Sequence, residues 1–117
     1  MDYVHFDGGM RRHTSDGKTN YSLAYDGPMF RRWSEHLSKG ASLHGPRNWL
    51  KAEGEDAMER AMESADRHHY QWRSGDTDED HAAALFFNVN LYEYTKDRIA
   101  KQRVREMEQE YRRLRYG

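Results

Sequence analysis

The chain has 117 residues, a length that fits one domain with a core large enough to fold alone. Apolar residues make up 36% and charged residues 33%, a balance that argues for a thin core, long solvated helices, or burial completed by a second subunit, while 15 aromatics argue against outright disorder. With no cysteine, disulfide frameworks and thiolate metal sites are excluded.

No apolar run approaches the roughly 20 residues that span a bilayer. The start Met-Asp-Tyr-Val-His has no signal-peptide form, so a cytoplasmic protein with no membrane partner is expected. The formal net charge is −1, which makes nucleic acid an unlikely partner on global charge. Charge is uneven, however: from Thr95 to Gly117 there are eight Lys/Arg against four Asp/Glu, which leaves the preceding body at −5.

In chain order, residues 1–25 show no sustained period and read as an irregular arm. Asp26-Gly27-Pro28 is a helix start, with proline at the first helical position and a short polar residue to cap it. Phe30, Trp33, Leu37 and Ala41 mark one apolar face of that helix, and Gly40, Gly45 and Pro46 break it. A loop follows through Trp49.

A second helix is predicted from about Gly54 to Arg73, with Met58, Met62, Ala65, His69 and Trp72 on its apolar stripe. Ser74-Gly75 ends it, and Asp76 or Thr77 caps a third helix. Ala82 to Leu91 forms the buried centre of that helix, which continues to the C-terminus. There Ala100, Val104, Met107, Tyr111 and Leu114 alternate by four and three, the spacing of a coiled-coil seam. The expected fold is all-α: a small helical bundle with an irregular arm over 1–25, a metal- and nucleotide-binding core over 26–94, and a long charged helix over 95–117 that supplies an oligomerisation seam.

Chemistry concentrates in the middle. Glu59, Glu63 and Asp66 fall on one face of the second helix, one turn beyond Asp56. Like charges at that spacing repel by a few tenths of a kcal/mol, so the ridge needs open solvent or a cation. Arg67 and His68 follow, and then Asp76, Asp78, Glu79, Asp80 and His81 within a short turn. Two antiparallel helices joined there bring the Glu63/Asp66 end near Asp78, Asp80 and His81. Clustered carboxylates without thiols suit Mg²⁺ or Mn²⁺, and Mg²⁺ shares its ligands with substrate phosphates.

His68 and His81 read either as ligands or base, or as hydrogen-bonded core histidines. Asn88 interrupts an apolar run and either faces a substrate base or bonds a neighbouring helix. Lys39, His44, Arg47 and Lys51 surround a Gly-Pro loop beside Trp49, groups able to neutralise a polyphosphate and stack on a base.

Asp16-Gly17-Lys18, Glu35, Lys39-Gly40-Ala41, His44-Gly45 and Arg47-Asn48-Trp49 resemble a block in phage-type proteins. So do Glu63 with Arg67-His68, then Trp72, Gly75, Asp78, His81 and Asn88. The family is the dATP/dGTP diphosphohydrolase N-terminal domain, related to the all-α MazG-like pyrophosphohydrolases, and the resemblance covers roughly Asp16 to Tyr94. It implies carboxylate-bound Mg²⁺ and cleavage of a purine deoxynucleoside triphosphate to the monophosphate and pyrophosphate. In the wider pattern one helix offers Glu-x-x-Glu and the next Glu-x-x-Asp. Glu63-Ser64-Ala65-Asp66 matches the second half, while Glu35 is followed three positions later by Ser38.

On that reading Glu35, Glu63, Asp66, Asp78, Asp80 and His81 hold the metal. Glu35, Glu63 and His68 carry catalysis. Lys39, His44, Arg47, Asn48, Trp49, Arg67 and Asn88 bind the nucleotide, and the protein is a homo-oligomer. Two rivals stand beside it. A histidine/aspartate-metal phosphohydrolase needs an adjacent His-Asp pair, which is absent. A non-catalytic phage accessory or nucleic-acid-binding helical protein would use the basic tail.

Overall fold

The computed structural model describes residues 3–5, 8–9, 11–13 and 17–117. Near the N-terminus, β1 (Tyr3–His5) pairs antiparallel with β2 (Arg11–His13), a short ladder within the arm expected to be irregular. A 3₁₀ segment, Tyr21–Tyr25, follows with Asn20 as its cap. Three helices then make up the body: α1 (Met29–His44), α2 (Gly54–Arg73) and α3 (His81–Tyr116).

Sequence bounds and observed bounds differ where caps decide. Pro28 itself is the N-cap of α1, and no side chain caps the helix. Gly40 lies inside α1, and the break falls at Gly45, where φ is 89°. A left-handed φ there costs glycine nothing and terminates the helix. α2 spans the predicted range. The cap of α3 is neither Asp76 nor Thr77: Asp80 accepts from the Ala83 N–H at 3.1 Å, so α3 starts at His81. α3 then runs unbroken through the boundary expected at 94–95, and Thr95 is fully buried, its Oγ1 donating to the Leu91 carbonyl.

α2 and α3 form an antiparallel hairpin. His68 meets His81 at the turn, and Glu55 meets Arg103 at the far end. Its interface is made of small side chains: Ala61 and Ala65 from α2, and Ala82, Ala83 and Ala84 from α3, with His68, His81, Asn88 and Thr95 buried among them. The stripe on α2 is therefore Ala61, Ala65 and His68. Met62, His69 and Trp72, expected on the inner face, are exposed. Phe86 and Val89, inside the predicted buried centre of α3, are half exposed.

α1 runs alongside the first half of α3 in the same direction, with Trp33 against Phe86 at 6.0 Å and His36 against Phe87 at 5.2 Å between ring centroids. The radius of gyration is 20.9 Å, against roughly 13 Å for a compact domain of this length. Part of α3 stands clear of the rest, since every residue from Ala100 onward is exposed, including the seam Val104, Met107, Tyr111 and Leu114.

Candidate functional site

The end of α1 builds a groove. Gly45 and Pro46 turn the chain, Arg47 takes a left-handed φ of 58°, and Asn48–Lys51 makes one 3₁₀ turn. The resulting groove of about 830 Å³ is walled by α1 from Arg32 to His44, by the Gly45–Trp49 bend, and by Glu79, Asp80 and Phe87. Glu35, Lys39, His44, Arg47, Asn48, Trp49 and Asp80, seven of the residues expected to serve a site, border this one space. Trp49 packs edge-on against Tyr94 at 5.2 Å. The Tyr94 hydroxyl donates to the Leu50 carbonyl, and Arg98 donates to the carbonyls of Leu50 and Ala52, so α3 fixes the bend from beneath.

At one end of the groove lies the turn between α2 and α3. Arg32 donates to both carboxylate oxygens of Asp80, at 2.8 and 2.6 Å. That bidentate bond holds the Asp80 carboxyl down at about 2 and raises Arg32. Behind Asp80, the His81 ring is buried and its Nε2 lies 2.6 Å from Asp78 Oδ1. An ionised carboxylate only accepts, so Nε2 carries the proton and donates it. This bond holds the Asp78 carboxyl below its ordinary value. His81 Nδ1 is left with a lone pair, 2.9 Å from Nδ1 of the buried His68. Burial lowers the pKa of His68, against the attraction of Glu79, whose Oε1 is 3.7 Å from the same nitrogen. His68 is thus a neutral donor to His81.

The other expected ligands do not converge. Glu63 and Asp66 project from the α2 face opposite Ala61, Ala65 and His68, and are exposed. The helical repeat of 3.6 residues dictates this: the face that shares the ridge cannot be the face that packs on α3. Glu35 lies 3.6 Å from Arg31, and Asp80 is engaged by Arg32. Arg67 bonds Ser64, and the Asn88 amide donates to the Ala84 carbonyl of its own helix, away from the groove lining. Asp16 lies outside the described residues.

Among the described residues, the group whose ligand atoms come together is His68, Glu79 and His81, all within 4.8 Å of one another. Two imidazoles and one carboxylate do not fit a resident Mg²⁺, which takes oxygen ligands, and the expected set of five carboxylates with His81 is not drawn together around one point. Arg32 escaped sequence reasoning, and Glu79 was read as part of the acidic cluster but not as a site residue. Glu79 was one acid in a run of four, and Arg32 an unremarked base on the flank of an apolar stripe.

A model of the family described as dATP/dGTP diphosphohydrolase, N-terminal, matches residues 9–103. The chain belongs to that family. The match takes in the groove, the α2–α3 turn and α3 as far as Arg103, leaving the exposed end of α3 outside. No curated protein and no solved structure matches the chain. Among the described residues, no helix is long and apolar enough to cross a membrane.

Proposed function

We propose that this member of the dATP/dGTP diphosphohydrolase N-terminal family hydrolyses a purine deoxynucleoside triphosphate to the monophosphate and pyrophosphate. The observation that carries the reading is the groove, which gathers Lys39, His44, Arg47, Asn48 and Trp49 around one space in a chain of this family. Lys39 and Arg47 neutralise the polyphosphate, with His44 beside them, and Trp49 and Asn48 contact the base. Mg²⁺ or Mn²⁺ is required and arrives on the triphosphate. Glu35, on the groove wall, accepts a proton from the water that attacks the α-phosphorus, and pyrophosphate leaves. His68 does not serve as the base, because it is buried against His81 and does not border the groove.

The reaction places the protein with the deoxynucleotide pool of the cytoplasm, and kinship with MazG-like enzymes goes with it. A homo-oligomer accompanies the reading too, supported by the thin alanine core and by the exposed seam of α3. The test is incubation with each of the four dNTPs and Mg²⁺, with products separated by ion exchange. The expected products are dAMP or dGMP with pyrophosphate, lost in Arg47→Ala and Lys39→Ala. Intact inorganic triphosphate among the products would mean a different bond is cut. An absence of turnover with either metal would leave a non-catalytic binding protein.

A further inference from the structure

The buried histidine pair at the α2–α3 turn has no part in the reaction proposed above, and it is built in a way that a core hydrogen bond does not require. Two rings sit with like atoms facing, Nδ1 to Nδ1, at 2.9 Å. The far nitrogen of His81 is fixed by Asp78 at 2.6 Å, the carboxylate–histidine arrangement that sets a ligand's tautomer and turns its lone pair inward. Glu79 reaches the same point, with Oε1 3.7 Å from His68 Nδ1 and its side chain half exposed and free of any other ion pair among the described residues. All three side chains are held on helix ends or on a turn that Arg32 and Asp80 fasten.

We propose that His68 Nδ1, His81 Nδ1 and the Glu79 carboxylate bind one divalent transition-metal ion of the Mn²⁺, Fe²⁺ or Co²⁺ kind. Zinc–nitrogen bonds run about 2.0–2.1 Å, and bonds of that order or slightly longer at a right angle put the two nitrogens about 3 Å apart, close to the 2.9 Å observed. A right angle belongs to six-coordinate geometry, so tetrahedral Zn²⁺ fits less well. Two histidines and one carboxylate that leave further positions open are the donor set such ions take. Binding replaces the proton on His68 Nδ1, which goes to solvent, while His81 keeps its Nε2 proton on Asp78. The ion ties α2 to the turn that carries Glu79 and Asp80 along the groove. The site stands or falls independently of the dNTP reading.

The full-length chain, freed of metal by chelation and of any affinity tag, is titrated with Mn²⁺ while the free ion is followed by electron paramagnetic resonance. A parallel titration with Co²⁺ follows its visible absorption. One equivalent bound with micromolar affinity, with the weak bands of six-coordinate Co²⁺, is the expected result. Glu79→Gln, a half-exposed change that leaves the packing untouched, weakens binding at least tenfold. Asp78→Asn weakens it about 10- to 100-fold by releasing the His81 tautomer. His68→Gln abolishes it, while Glu59→Gln, on the opposite face of α2, changes nothing. Circular dichroism accompanies each variant. Binding weaker than millimolar in the parent chain overturns the site, and so does binding that Glu79→Gln and His68→Gln leave intact in folded protein.

Discussion

Ala65 sits on α2 at the α2–α3 interface with 7% of its surface exposed, one turn before His68, and faces the alanines at the start of α3. Replacing it by leucine adds three carbons where the neighbouring helix leaves no room. Overpacking of this kind costs about 1–3 kcal/mol, through displaced rotamers and parted helices. For a chain of this size that is a fall in Tm of about 4–12 °C. Two residues earlier, Glu63 points almost directly away, because two residues turn a helix by roughly 200°. Glu63→Leu adds the same side chain to solvent and changes stability by about 0.5 kcal/mol or less. Urea denaturation of the two variants against the parent, followed by circular dichroism at low protein concentration, measures the difference. Equal midpoints for Ala65→Leu and the parent, or a larger loss in Glu63→Leu, would refute the orientation of α2 and with it the placement of the carboxylate ridge.

Other expectations follow from the turn and the bend. Asp80→Ala removes the α3 cap and costs about 1 kcal/mol in urea denaturation at neutral pH. Because the Asp80 carboxyl is held at about 2, below its ordinary 3.8, the stability it contributes is complete above 3.8 and disappears as pH falls through 2. The parent and Asp80→Ala therefore converge in acid, and a constant gap down to pH 2 would count against the Arg32 pairing. His68 has its pKa lowered from 6.5, so the unfolded chain takes up the proton first and stability declines as pH drops below 6.5. Metal-free protein compared at pH 7.5 and 5.5 loses stability at the lower value, and His68→Gln loses less. Arg47→Gly relieves a left-handed φ and removes a groove cation, so Tm holds or rises while KM for the dNTP increases. A fall in Tm alongside the rise in KM would show that Arg47 has a structural role instead.

Much of the fold was legible because strong punctuation surrounds it. Gly54 and Ser74-Gly75 bracket α2, and the last helix carries no interruption after Asp80. The register of α2 was harder to read. Met58, Met62 and Trp72 dominate any reading of apolar pattern, yet the helices meet through alanine, which weighs little in such a pattern and permits close approach. That choice of face decides where the acids go, so the Glu63/Asp66 ridge was visible as a ridge but not as a surface turned from α3. The groove residues were legible, since Gly45-Pro46 and the bases around it are neighbours in sequence. The expected hairpin brought the Glu63/Asp66 end of α2 near His81, but the contact of His68 with His81, 13 residues apart, depends on which of two neighbouring histidines points inward.

The bonds from Tyr94 and Arg98 to the carbonyls of Leu50 and Ala52 have a consequence for how the molecule opens. The α2–α3 hairpin closes over a short turn, whereas α1 and the bend are held by contacts that span 44 to 53 residues of chain: the bend clamp, Arg32 on Asp80, and Trp33 and His36 against Phe86 and Phe87. Such a molecule has two exchange clocks. Releasing the clamp lets α1 and the bend swing away together while the hairpin stays closed, so α1 amides exchange with solvent water through a low-energy opening. Amides at the alanine seam wait for global unfolding. A ligand in the groove touches α1, the bend and the turn at once, and slows the faster clock toward the slower one.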